Sequence, residues 1–206
     1  MIKIGYTIII FLLISLIVEI FFLSENKREN ISDKPAIKKD IDFIAPIDNP
    51  LVRITKKSFG IFVSPQNSPI TPEKFTGYHT GVDFETFPEE QNIDVPIVAV
   101  CTGKILEKRQ ANGYGGMVVQ SCFLENNPIT IIYGHIKLSS IKILQGEILT
   151  SGNFLGVLGN GYSTETDGER KHLHLGIHKG KNIDVRGYVQ IENDLNNWIN
   201  ISTYLK

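Results

Sequence analysis

The chain has 206 residues, 42% hydrophobic and 21% charged, which excludes a disordered polar tail and a minimal disulfide scaffold. Lys and Arg number 21 against 22 Asp and Glu, a formal net charge of -1, so no global positive field exists to attract nucleic acid. Two cysteines cannot form a Cys-rich metal site by themselves.

Residues 4–23, IGYTIIIFLLISLIVEIFFL, hold a single charge, Glu19. As a helix this run would be about 30 Å long, the thickness of a bilayer's hydrocarbon core. A signal peptide would end in a small-x-small site, and Phe22, Leu23, Ser24 and Glu25 do not make a good one. A retained anchor therefore fits better than a cleaved leader. Lys3 precedes the run, and Lys27 and Arg28 follow it, so flanking charge leaves the orientation open. Residues 25–48 are polar and read as a linker. The expected organisation is 1–24 membrane segment, 25–48 linker and 49–206 folded domain.

Beyond Asn49, Gly and Pro punctuate short β-rich runs such as VPIVAVCTGKILEKR, GMVVQSCFL and ITIIYGHI. None has a sustained 3.6-residue period. Asn112-Gly113 with Gly115-Gly116 supplies one turn, and Asn126, Asn127 and Pro128 the next. The expectation is a mainly β, antiparallel domain, with at most a short helical turn in DLNNWINISTYLK. Cys101 and Cys122 fall nearly opposite each other if the turn near 112–115 centres a hairpin. A disulfide and two buried thiols both remain open.

All five histidines lie beyond residue 78. In an extended HTGVDFE, residues 79–85, His79, Gly81, Asp83 and Glu85 share one face, with Gly81 leaving space. In KHLHLGIH, residues 171–178, His172 and His174 share a face while Leu173 and Leu175 turn to the core. His135 ends the hydrophobic run IIYGHI. His79, Asp83 and one of His172 or His174 would give two nitrogens and an oxygen, leaving a fourth zinc position for water, as in catalytic sites. The spare imidazoles could then move protons or donate to an oxyanion. No HExxH helix is present, which excludes the zincin arrangement.

These elements resemble the lysostaphin-type, LytM-like zinc metallopeptidases, the peptidoglycan endopeptidases. The H-x-x-x-D motif stands as His79-Thr80-Gly81-Val82-Asp83 and the H-x-H motif as His172-Leu173-His174. A third element stands as Tyr133-Gly134-His135, with matching flanks at Phe59-Gly60, Gly77-Tyr78 and Val95–Val100. The resemblance implies His79, Asp83 and His174 as Zn(2+) ligands and His135 and His172 as catalytic imidazoles. It also implies a duplicated-hybrid-motif-like antiparallel sheet with a substrate groove. The implied substrate is the stem or cross-bridge peptides of bacterial peptidoglycan. Such a substrate would put the domain outside the cytoplasmic membrane, periplasmic or wall-facing, held by the N-terminal segment.

The chain departs from the family pattern in three places. No arginine follows Phe59-Gly60. The approach to the H-x-H motif is the longer, charged ETDGERK, residues 165–171. Leu175-Gly176 stands where an acid or aromatic is usual. The alternative is a catalytically silent wall-binding or amidase-activator domain on the same fold. Glu85 could orient a ligand, His178 could line the groove, and Tyr133 or Tyr78 could donate near the site or simply pack.

Overall fold

The computed structural model describes residues 43–205. The expected membrane segment lies outside the described residues, among which no helix is long and apolar enough to cross a membrane.

The elements in order are β1 (Phe62–Val63), β2 (Gly77–His79), β3 (Gly81–Glu85), β4 (Pro96–Val98), β5 (Gly103–Ala111) and β6 (Gly115–Leu124). They are followed by β7 (Asn127–Gly134), β8 (Ile148–Leu149), β9 (Phe154–Val157), β10 (His172–Lys179) and β11 (Tyr188–Val189). The main sheet has the order β3-β10-β7-β6-β5-β8, and every pairing within it is antiparallel. Small sheets β1-β2-β11 and β4-β9 flank it. The expected mainly β, antiparallel class is the one observed. Helical geometry among the described residues is confined to short 3-10 turns. The C-terminal stretch holds two of them, Glu192–Asn197 and Ile201–Thr203.

Turn chemistry explains the meander. β5 and β6 close at Asn112-Gly113-Tyr114, with Ala111 facing Gly115. The second turn lies earlier than expected. Glu125 and Asn126 both take positive φ, 47° and 74°, between the paired Leu124 and Asn127. Two left-handed residues in a row make the tight hairpin turn whose twist matches the strands. Asn127 and Pro128 therefore begin β7.

Strand alternation then sorts the side chains. Val82 and Phe84 of β3, Ile131 and Tyr133 of β7, and Leu173 and Leu175 of β10 enter the main core. Each such burial stabilises the fold by about 1.5–3 kcal/mol. The other face of β6 and β7 is covered too. Met117, Val119 and Ile132 pack with Tyr114 and Trp198 in a second cluster. Tyr133 belongs to the core and not to the site: its hydroxyl donates to Gln120 Oε1 and accepts from Val100 N–H, each at 2.9 Å. Tyr78 packs edge-on against Phe62. Cys101 and Cys122 are joined in a disulfide with Cα atoms 6.3 Å apart.

The expected linker meets the described residues only at 43–48, and these lie on the domain. Ile44 N–H donates to Val100 O, Val98 N–H donates to Pro46 O, and Ile47 is buried.

Candidate metal centre

β3 and β10 run side by side in a register that sets His174 opposite Asp83, His172 opposite Glu85 and Gly176 opposite Gly81. Parity puts the polar set on the face away from the Leu173 and Leu175 core. His79 arrives from the end of β2, separated from β3 by Thr80 alone. Gly81 does leave room, and what occupies it is His174. A Cβ at Gly81 would sit 2.7 Å from the His174 ring and 2.7 Å from Leu175 O.

Three donor atoms converge. His79 Nε2 lies 3.0 Å from His174 Nδ1 and 3.3 Å from Asp83 Oδ1, and His174 Nδ1 lies 3.1 Å from that oxygen. Zinc bonds of about 2.0–2.1 Å in a tetrahedral shell set neighbouring ligand atoms about 3.3 Å apart, so the spacing fits one shared ion. The donor chemistry fits as well. His79 Nδ1 faces Ser58 O at 3.2 Å. A carbonyl only accepts, so Nδ1 carries the proton and Nε2 presents its lone pair. His174 Nε2 is buried with no partner among the described residues, which leaves Nδ1 as the atom with a task. His79, Asp83 and His174, all buried, could hold a metal ion, the set that the family resemblance implied.

The two remaining imidazoles stand beside this triad. The His135 and His172 rings are 4.2 Å apart. His172 Nδ1 donates to Arg170 O at 2.8 Å, and Nε2 lies 3.3 Å from Asp83 Oδ2. His135 has φ 62°, a left-handed conformation costly for a residue with a Cβ and frequent at functional sites. Two backbone bonds hold it there: His135 N–H to Tyr114 O at 3.0 Å, and Gly159 N–H to His135 O at 2.8 Å. The preceding Gly134 has no room for a side chain, because a Cβ would strike the Tyr114 ring.

Electrostatics divides these groups. Burial favours a neutral Asp83, yet His172 and His79 prevail and hold its carboxyl well below the ordinary range. Burial, then the neighbouring His172, pushes His135 well below the usual imidazole value, so it is neutral near pH 7. Burial lowers His174 to about 4 against the pull of Asp83. A neutral imidazole is the form that ligates a metal.

The site opens into a cleft of about 330 Å³ whose walls include Asp83, His135, His172 and His174. Further lining comes from residues that sequence reasoning did not single out. Tyr114 lies in the 112–114 turn. Tyr188 of β11 has its ring 5.2 Å from that of His79 and accepts a hydrogen bond from Lys57 Nζ at 2.9 Å. Burial raises both phenols, so both stay protonated. Arg170 belongs to the unusual 165–171 loop. Although the loop is charged, its end is buried: Arg170 donates to Asp83 and Glu85 instead of to solvent. Arg170 shares parity with His172 and His174, a signal that was present in the sequence. Tyr114 and Tyr188 had none, because only chain folding brings them to the histidines. Glu85 binds Arg170 and does not touch a ligand directly. His178 is not on the cleft: its ring packs against Trp198 at 4.9 Å.

Residues 77–185 match Peptidase family M23. The endolysin 2638A of Staphylococcus phage 2638A is 33% identical over 100 residues, covering 48% of this chain and 18% of the endolysin. The chain thus spans under a fifth of that relative. Lysostaphin from Staphylococcus simulans is similar in structure, with TM-score 0.48, 20% identity, and coverage of 79% of this chain and 52% of that one. Its catalytic domain gives TM-score 0.46 and 21% identity, covering 70% of this chain and 89% of that domain. With the match extending over more than half its length, from the strand that carries His79 to beyond the one that carries His174, the chain belongs to peptidase family M23.

Proposed function

We propose that this chain is a zinc endopeptidase that hydrolyses peptide bonds in the stems or cross-bridges of bacterial peptidoglycan. The observation that carries the reading is the convergence of His79 Nε2, Asp83 Oδ1 and His174 Nδ1 beside two further imidazoles on one cleft. When bound, zinc supplies Lewis-acid polarisation of a carbonyl and acidifies water.

The remaining work falls to side chains. The Nδ1 proton of His172 is committed to Arg170 O, so its Nε2, 3.3 Å from Asp83 Oδ2, carries the lone pair that acts as base at the cleft. It takes the proton of the attacking water and returns it to the leaving nitrogen as the C–N bond breaks. His135 is neutral and has a buried Nδ1 with no protein partner. It orients the water and then donates to the oxyanion. The protonated hydroxyls of Tyr114 and Tyr188 add donors for the substrate backbone.

Location follows from the substrate. Residues 4–23 would anchor the chain, with 49–206 outside the membrane. The Cys101–Cys122 disulfide supports an oxidising compartment.

The test is incubation of the zinc-loaded full chain with purified peptidoglycan, followed by mass spectrometry of released fragments. Metal-dependent appearance of new peptide termini is expected. Fragment release that persists in the His172→Ala variant, or none from any wall type with the wild-type chain, would overturn the reading.

A further inference from the structure

Asp83 uses its two oxygens differently. Oδ1 faces both imidazole nitrogens of the triad. Oδ2 accepts from Arg170 Nη2 at 2.8 Å and lies 3.3 Å from His172 Nε2. Arg170 is itself fixed. Its Nε donates to both Glu85 oxygens, at 3.0 and 2.9 Å, and Nη2 reaches Glu85 as well. Glu85 lies two residues beyond Asp83 on the same face of β3, and Arg170 two before His172. One buried guanidinium therefore bridges two carboxylates that strand geometry has already aligned. A forked, planar donor suits this bridge, and an ammonium does not.

The geometry points to Arg170, braced by Glu85, as a positioning residue that holds Asp83 as a one-oxygen donor to the metal. With Oδ2 engaged, the carboxylate would be kept from rotating to offer both oxygens. This inference rests on the metal-centre reading above. It is opposed by plain electrostatics, because a cation beside a ligand carboxylate repels a second cation. Holding the charge of the pair constant separates the two effects: electrostatics then leaves affinity unchanged, whereas loss of positioning weakens it.

The experiment measures zinc affinity of the full chain by chelator competition, and the visible absorption of its cobalt(II) form. Two variants are compared with wild type: Arg170→Lys, which keeps the charge and loses the fork, and the double Arg170→Gln/Glu85→Gln, which leaves the summed charge of the pair unchanged. Thermal unfolding of the metal-free proteins checks the fold. Zinc binding roughly ten- to a hundredfold weaker is expected in both variants, the size typical of lost outer partners of a ligand. Cobalt absorption should weaken as the second carboxylate oxygen joins. If the double variant does not fold, Arg170→Lys alone carries the same expectation. Unchanged affinity with an unchanged cobalt spectrum would overturn the inference, as would tighter binding. Failure of the wild-type chain to bind either metal would remove the metal-centre reading, and this inference with it.

Discussion

β3 and β10 present two regions back to back. On one face, Val82, Phe84, Leu173 and Leu175 are essentially solvent-free and satisfied by packing alone. On the other, Asp83, Glu85, His172 and His174 are almost as deeply buried, yet packing cannot satisfy them. Burial is the same on the two faces and its consequence is opposite. Apolar groups gain from leaving water, whereas ionisable ones lose unless a partner replaces it. Arg170 replaces water at Asp83 and Glu85. Among the described residues nothing does so for His174 Nε2 or His135 Nδ1. The site face is thus held in a form useful for chemistry, at a stability cost borne by the core face.

The largest separation of the two faces should come from His172→Ala. Hydrolysis should fall about 10²–10⁴-fold, the span of general acid–base contributions, while the thermal midpoint hardly moves. A steady-state assay paired with calorimetry checks both halves. Leu173→Ala, one residue away and pointing inward, should invert that pattern. A loss of about 2–5 kcal/mol in unfolding free energy is expected, with per-molecule activity kept while the protein is folded. Denaturant titration measures it, and a loss under 1 kcal/mol would deny the tight packing on that face.

Metal removal acts on the site face alone. Free zinc at a thousandfold excess over its Kd should stabilise the fold by about 4 kcal/mol relative to chelator-treated protein. No shift in the melting curve would argue against a zinc centre. Gly81→Ala sits between the two regions, since its Cβ would press on the His174 ring and on Leu175 O. It should cost about 1–3 kcal/mol and weaken metal binding as well, and parallel melting and metal titrations would show whether the losses occur together.

The smallest effect is on pH. His135 and His174 have lowered values in the fold, so the unfolded chain binds more protons below its ordinary imidazole value. Stability of the metal-free protein is then fully present above about pH 6.5 and declines on acidification, for His174 down to about 4. The slope is about 1.4 kcal/mol per pH unit for each histidine. Urea midpoints between pH 7 and 5 test this, and a flat profile would mean the two rings are solvated.

Much of this was legible in the chain. Period-2 alternation placed Leu173 and Leu175 in the core and His172 and His174 opposite, since side-chain direction in a strand is a local property. The spacing of His79, Asp83 and the H-x-H pair narrowed the converging residues to His79, Asp83 and one of His172 or His174, and the family resemblance pointed to His174. Arg170 was missed because a charged loop reads as solvated, although its parity with His172 was visible. The second turn was misplaced because nothing about Glu125 announces a positive φ. His178 has the right parity but lies too far along β10, beside Trp198.

Local sequence thus determined strand character, facing and the kinds of atoms available to the site. Only tertiary structure decided the rest: that β3 and β10 pair with His174 against Asp83, that Gly81 makes room for that ring, and that Tyr114, Tyr188 and Arg170 close around it. Register and long-range approach depend on the whole core packing at once. No short stretch of sequence holds that information, because a one-residue slip would send every histidine of β10 to the opposite face.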